Sequence, residues 1–182
     1  MIKILRSGLI LMNVLMVIAW TACSRSNQNS PGASSPKSAP SAAVQKTTSE
    51  SVVKVAVQGA EIPAGGFADA IVRVTVQSGY HINSNPPTFP YLKATELEMA
   101  DTDEISLNSV FYPKPLVKTF AFADKPLHVY EGETPLTVTF EAAPTAKKGQ
   151  QSIPAKLRIQ ACDDQVCYPP GSIDVVIPVL IK

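Results

Sequence analysis

Val72-Arg73-Val74-Thr75-Val76-Gln77 decides the fold class. Three valines fall on one side of an extended chain, and Arg73, Thr75 and Gln77 fall on the other. That period of two marks a half-buried β-strand. The same alternation recurs in both directions. Upstream, Val53, Val55 and Val57 oppose Lys54 and Gln58. Downstream, Leu136, Val138 and Phe140 oppose Thr137, Thr139 and Glu141, and Leu157, Ile159 and Ala161 oppose Lys156, Arg158 and Gln160. Ile173 to Ile181 is apolar at both parities, which predicts a more buried strand. Pro178, which has no amide to donate, is expected there at an edge or bulge. Thr95 to Met99 and Val117 to Phe122 are weaker runs.

The punctuation agrees. Pro63-Ala64-Gly65-Gly66, Asn85-Pro86-Pro87, Glu131-Gly132-Glu133 and Lys147-Lys148-Gly149 all read as turns. Sixteen prolines and nine glycines favour turns over long helices, and no window sustains a helical period. The expectation for residues 51–182 is an all-β domain, an immunoglobulin-like β-sandwich of about seven or more short antiparallel strands. A small barrel is the main rival.

Composition narrows the function classes. The chain has 182 residues, 45% apolar and 17% charged, enough for one domain with a real core plus tails. A formal charge of +1 gives no broad electrostatic case for nucleic acid, so none is expected as a partner. There is no nucleophile elbow, phosphate loop or HExxH motif to indicate a hydrolase.

Residues 1–23 have the layout of an export signal. Lys3 and Arg6 precede an apolar run from Leu9 to Trp20, followed by Thr21-Ala22-Cys23. Small residues before a cysteine resemble the lipobox of bacterial lipoproteins, although Trp20 stands where an aliphatic residue is usual. The resemblance implies lipidation of Cys23. It places the domain on the periplasmic face of a bacterial membrane, with Ser24 favouring the outer membrane. Each buried acyl CH₂ contributes about 0.8 kcal/mol to such an anchor. Residues 24–50 are rich in Ser, Ala, Pro, Gln and Lys, the composition of a disordered spacer.

The three cysteines then become informative. If Cys23 carries lipid, Cys162 and Cys167 remain, in an oxidising compartment where neighbouring thiols pair. With Ala161 facing the core, Cys162 falls on the outward face with Arg158 and Gln160, so the pair is expected at a strand end near solvent. A six-residue ring contributes about 2 kcal/mol by chain entropy, and an accessible one is open to thiolate attack. A structural staple and an exchange site both fit these residues. Asp163 and Asp164 disfavour a Cys162 thiolate by charge, and otherwise read as a solvated turn. Pro169 and Pro170 stiffen the exit. A metal site is not expected. Zinc cysteines are usually two to four residues apart with a second ligand pair elsewhere, and nothing brings His81 and His128 together. Each histidine reads as an ordinary loop or strand residue, and no cofactor is expected.

Ala161-Cys162, Cys167-Tyr168-Pro169-Pro170, Gly79-Tyr80-His81-Ile82-Asn83 and Val129-Tyr130-Glu131-Gly132 resemble the N-terminal periplasmic domain family of the thiol:disulfide interchange protein DsbD. The resemblance covers most of 52–182, and its most specific part is the cysteine–Tyr–Pro–Pro segment. It implies an immunoglobulin-like fold and a redox-active pair. Cys167 would form the mixed disulfide with partners, and Cys162 would resolve it. The implied partners are thioredoxin-like or other periplasmic redox proteins. A cap aromatic shields the pair in that family. The matching stretch is Phe120 to Tyr130, with Phe122 and Tyr130 as candidates and core packing as the alternative for Phe120 and Phe122.

Two departures stand out. The family spacing between the cysteines is commonly one residue longer. The sequence also stops after the β domain, so electrons are expected from a separate donor protein. The alternative function is a non-catalytic extracytoplasmic binding module that keeps the disulfide as a staple.

Overall fold

The computed structural model describes residues 46–182. Cys23, the signal segment and most of the expected spacer lie outside the described residues. The domain reaches further upstream than residue 51. Ser49 is fully buried, and a short 3-10 turn at Glu50–Val52 leads into the first strand.

Twelve strands follow, and the described residues contain no α-helix: β1 Val53–Gln58, β2 Ala60–Ile62, β3 Phe67–Val76, β4 His81–Asn83, β5 Glu96–Met99, β6 Ile105–Phe111, β7 Leu116–Lys118, β8 Leu127–Tyr130, β9 Glu133–Ala142, β10 Gly149–Ile159, β11 Ala161–Cys162 and β12 Gly171–Ile181. They form three four-stranded sheets, in the orders β1-β3-β9-β6, β2-β12-β10-β5 and β11-β4-β8-β7. Pairing is antiparallel except between β2 and β12.

The first two sheets make an immunoglobulin-like sandwich. Their inner faces are the alternating aliphatics that the sequence displays. Val72, Val74, Leu136, Val138 and Phe140 come from one sheet, and Leu157, Ile159, Ile177 and Val179 from the other, all in one buried cluster. Fully burying such a side chain contributes roughly 1.5–3 kcal/mol, so this cluster dominates stability. Gly132, at a φ of 58°, turns β8 into β9 in a left-handed conformation that costs a glycine little.

Three strand readings change. Ile173–Ile181 is not buried on both faces: β12 alternates, and Val176 is exposed. Its apolar outer residues are surface residues, which hydropathy alone does not distinguish from core. Pro178 is not at a sheet edge: it pairs with Ser152 of β10 on one side and packs against Gly59 on the other, just before the stretch of β12 that pairs with β2. The run at 117–122 forms a strand only at Leu116–Lys118 and then becomes a loop carrying Phe120 and Phe122.

The third sheet is built from strands of two to four residues. Its register puts Ala161, Ile82 and Tyr130 on one face, where all three join the main core. The opposite face carries Cys162 and His81, directly paired across β11 and β4, and further along Val129 and Leu127. A second hydrophobic cluster of Phe120, Leu127 and Val129, with Phe89, Leu92 and Ala123 against it, covers that face.

Candidate disulfide centre

Cys162 and Cys167 are joined by a disulfide across an isolated bridge. The loop between them is folded by Asp163. Its Oδ1 accepts the amides of Gln165 and Val166, both at 2.8 Å, and its Oδ2 accepts the Tyr168 hydroxyl at 2.6 Å. These bonds favour the carboxylate. The Tyr168 hydroxyl, first, and the two amides hold the Asp163 pKa below its ordinary value. The same bond pushes Tyr168 up to about 12. Asp163 is therefore a structural acceptor that shapes the ring, while Asp164 is exposed.

The ring is also anchored from outside. Ser49 Oγ donates to the Pro169 carbonyl at 2.7 Å and accepts the Ala161 amide at 3.0 Å, so one buried hydroxyl ties both flanks of the loop. The Glu50 carboxylate accepts the Ser172 amide at 3.1 Å. Gln160, just before β11, accepts from the Lys93 amide and from Asn83 and donates to the Tyr168 carbonyl.

The two cysteines differ in environment. Cys162 is 0% exposed, whereas Cys167 is half-buried. The expected outward parity of Cys162 is correct, since it lies on the face opposite Ala161. Its expected exposure is wrong, because the second hydrophobic cluster covers that face. Cys167 instead opens onto an apolar cleft of about 350 Å³ lined by Tyr91, Leu92, Phe122, Leu127 and Val166. Tyr91 is 73% exposed and stacks on Phe89.

The aromatic candidates separate cleanly. Phe122, 39% exposed, lines the cleft beside Cys167. It stacks on the buried Phe120 at 5.4 Å, and Phe120 stacks on His81 at 4.1 Å. Tyr130 lies in the main core, with its hydroxyl donating to the Pro113 carbonyl and accepting the Asn85 amide. It is not among the residues lining the cleft at Cys167.

Sequence reasoning missed Tyr91, Leu92 and Leu127 in the cleft, Ser49 beneath the ring, and His81 beside Cys162. Two had a signal: His81 lies within the Gly79–Asn83 segment, and Leu127 within the Phe120 to Tyr130 stretch. The others are brought in by tertiary pairing that no local pattern announces.

The sequence model of the family described as "Thiol:disulfide interchange protein DsbD, N-terminal" matches residues 48–176. No curated protein sequence matches significantly. Among solved structures, the N-terminal periplasmic domain of ScsB from Proteus mirabilis is similar with a TM-score of 0.51 at 14% identity. That match covers 72% of this chain and 49% of the other, so the chain spans about half the length of that relative. The reduced DsbD N-terminal domain of Neisseria meningitidis matches with a TM-score of 0.41 at 18% identity, over 70% of this chain and 86% of the other. The ScsB likeness concerns the fold, and the family rests on the sequence match across the β domain and its cysteine loop: the chain belongs to the DsbD N-terminal domain family.

Proposed function

We propose that the chain is an exported, lipid-anchored thiol–disulfide exchange domain that carries electrons to periplasmic partners through Cys162 and Cys167. The observation that carries this reading is the asymmetry of the pair. One cysteine is sealed, and the other stands at the mouth of an apolar cleft. Exchange needs access to one sulfur and benefits from protection of the other. A staple needs neither.

The cycle follows from that asymmetry. In the reduced domain the Cys167 thiolate attacks a partner disulfide, forming a mixed disulfide and displacing the partner's second thiolate. Cys162 then attacks Cys167 Sγ. The Cys162–Cys167 bond forms, the bond to the partner breaks, and two electrons have moved to the partner. A separate thioredoxin-like donor reduces the pair again. Phe122 serves as the shield: its ring lines the same cleft as Cys167, and displacing it admits a partner. Lipidation at Cys23 holds the domain at the membrane.

The test is to trap the intermediate. The full chain carrying Cys162→Ala, expressed in a Gram-negative host, should accumulate mixed disulfides. They should run as higher-mass species that vanish with reductant and when Cys167→Ala is added. Absence of any Cys167-dependent adduct would return the disulfide to a structural role. Incorporation of labelled palmitate, lost in Cys23→Ser, tests the anchor separately.

A further inference from the structure

His81 is the ionisable side chain nearest in register to the buried cysteine, and the cycle above does not use it. It is 1% exposed, and its Nε2 is buried without a hydrogen-bond partner among the described residues. Leaving such an atom unpaired costs roughly 1–3 kcal/mol, so its retention asks for a second state in which it is paired. His81 and Cys162 are direct cross-strand partners. Residues in that relation have Cβ atoms about 4.5–5.5 Å apart on one face of a sheet. The ring is pinned by its stack on Phe120. In the oxidised protein Cys162 has no proton to share, and in the reduced protein it has one.

We propose that His81 Nε2 accepts the proton of the Cys162 thiol when the pair is reduced, and thereby speeds the ring-closing step. The inference rests on the exchange reading and deepens it. A neutral ring protonated at Nδ1 presents Nε2 as an acceptor. As Cys162 attacks, its S–H proton passes to Nε2. The Cys162–Cys167 bond forms, the Cys167–partner bond breaks, and the electron pair leaves on the partner thiolate. The proton then passes to solvent through the polar cleft that His81 lines with Lys118, Glu131 and Asp164. Burial holds the His81 pKa below its ordinary value, which keeps the ring neutral at neutral pH. Glu131, Asp164 and Asp163 oppose that shift, and Lys118 adds to it.

The sealed position of Cys162 is the reason an internal acceptor matters. Solvent bases do not reach it, and desolvation disfavours its thiolate. Cys167 opens on the cleft and needs no such help. The two steps of the cycle should therefore respond differently to loss of the histidine.

A dithiobis(nitrobenzoate) separates them. The reduced full chain, carrying Cys23→Ser so that only the pair supplies thiols, releases one nitrothiobenzoate when Cys167 attacks the reagent and a second when Cys162 closes the ring. His81→Phe should slow the second release about 10²-fold at neutral pH and leave the first unchanged. The second release should also lose its titration in the histidine range, about pH 5–8. Wild-type protein supplies a readout free of folding effects. In proton NMR the His81 ring should titrate once in the oxidised chain, and show a further shift as Cys162 ionises in the reduced chain. An unchanged second release in His81→Phe, or identical His81 titrations in both redox states, would overturn the inference and leave the exchange reading standing. A wild-type chain whose reduced pair releases no nitrothiobenzoate at all would overturn both.

Discussion

The long-stranded sandwich and the short-stranded third sheet hold themselves together in different ways. Strands such as β3, β9, β10 and β12 run ten or eleven residues and pair along most of their length, with an inner face of aliphatics. The third sheet has strands of two to four residues, too short to bury much on their own. It is fixed instead by a disulfide, the Asp163 and Ser49 hydrogen bonds, and the stack of His81, Phe120 and Phe122. The first region is stabilised by area, and damage there should be global. The second is stabilised by specific contacts, and damage there should be local and chemical. The cysteine pair sits in the second, with Cys162 on the face turned away from the main core.

Substitutions on the two sides should separate these behaviours. The largest effect is expected at Cys167, where Cys167→Ala should abolish reduction of partner disulfides, measured by insulin turbidity with a coupled thioredoxin-like donor. The same change should lower stability by only about 2 kcal/mol, the loop-closure contribution of a six-residue ring. Phe140→Ala, in the sandwich, should cost about 3–5 kcal/mol in urea unfolding while leaving the reduction potential of the pair unchanged. Ser49→Ala lies at the junction. It leaves the Ala161 amide and Pro169 carbonyl without their partner, so about 2 kcal/mol is expected, with faster hydrogen exchange confined to residues flanking the cysteine loop.

A pH series sharpens the comparison further. Burial lowers the folded pKa of His81, so the unfolded chain binds the proton more readily. Stability is then complete above the unfolded value of about 6.5 and declines as pH falls from there towards the folded pKa. Thermal unfolding should show this decline in wild-type protein and less of it in His81→Phe. At the small end, Lys156→Ala removes an exposed pair with Asp174 on the outer face of the sandwich. It should change stability by less than about 1 kcal/mol and leave the redox chemistry alone.

The same contrast explains what was legible in the sequence. β1, β3, β9 and β10 were readable because a half-buried strand imposes its period on its residues, whereas β12 was readable as a strand but its apolar outer residues, such as Val176, hid its alternation. β6 was not, because a bulge between Leu107 and Ser109 shifts its parity midway. β4, β8 and β11 are shorter than any reliable pattern. Of the site, the cysteines could be found from their spacing, and the face of Cys162 from the parity of Leu157, Ile159 and Ala161. Its burial could not, since the cover comes from Phe120 and its neighbours, some forty residues away in sequence, folded over it by β7 and β8. Tyr130 illustrates the same limit: it neighbours the cap stretch in sequence, yet strand pairing with Ile82 turns it into the main core.

The reduction potential of the Cys162–Cys167 disulfide, measured in the purified full chain against glutathione or dithiothreitol buffers, tests the exchange reading most directly. A carrier should fall between about −120 and −270 mV, the range of known exchange proteins. A value below about −300 mV, where structural disulfides lie, would contradict it.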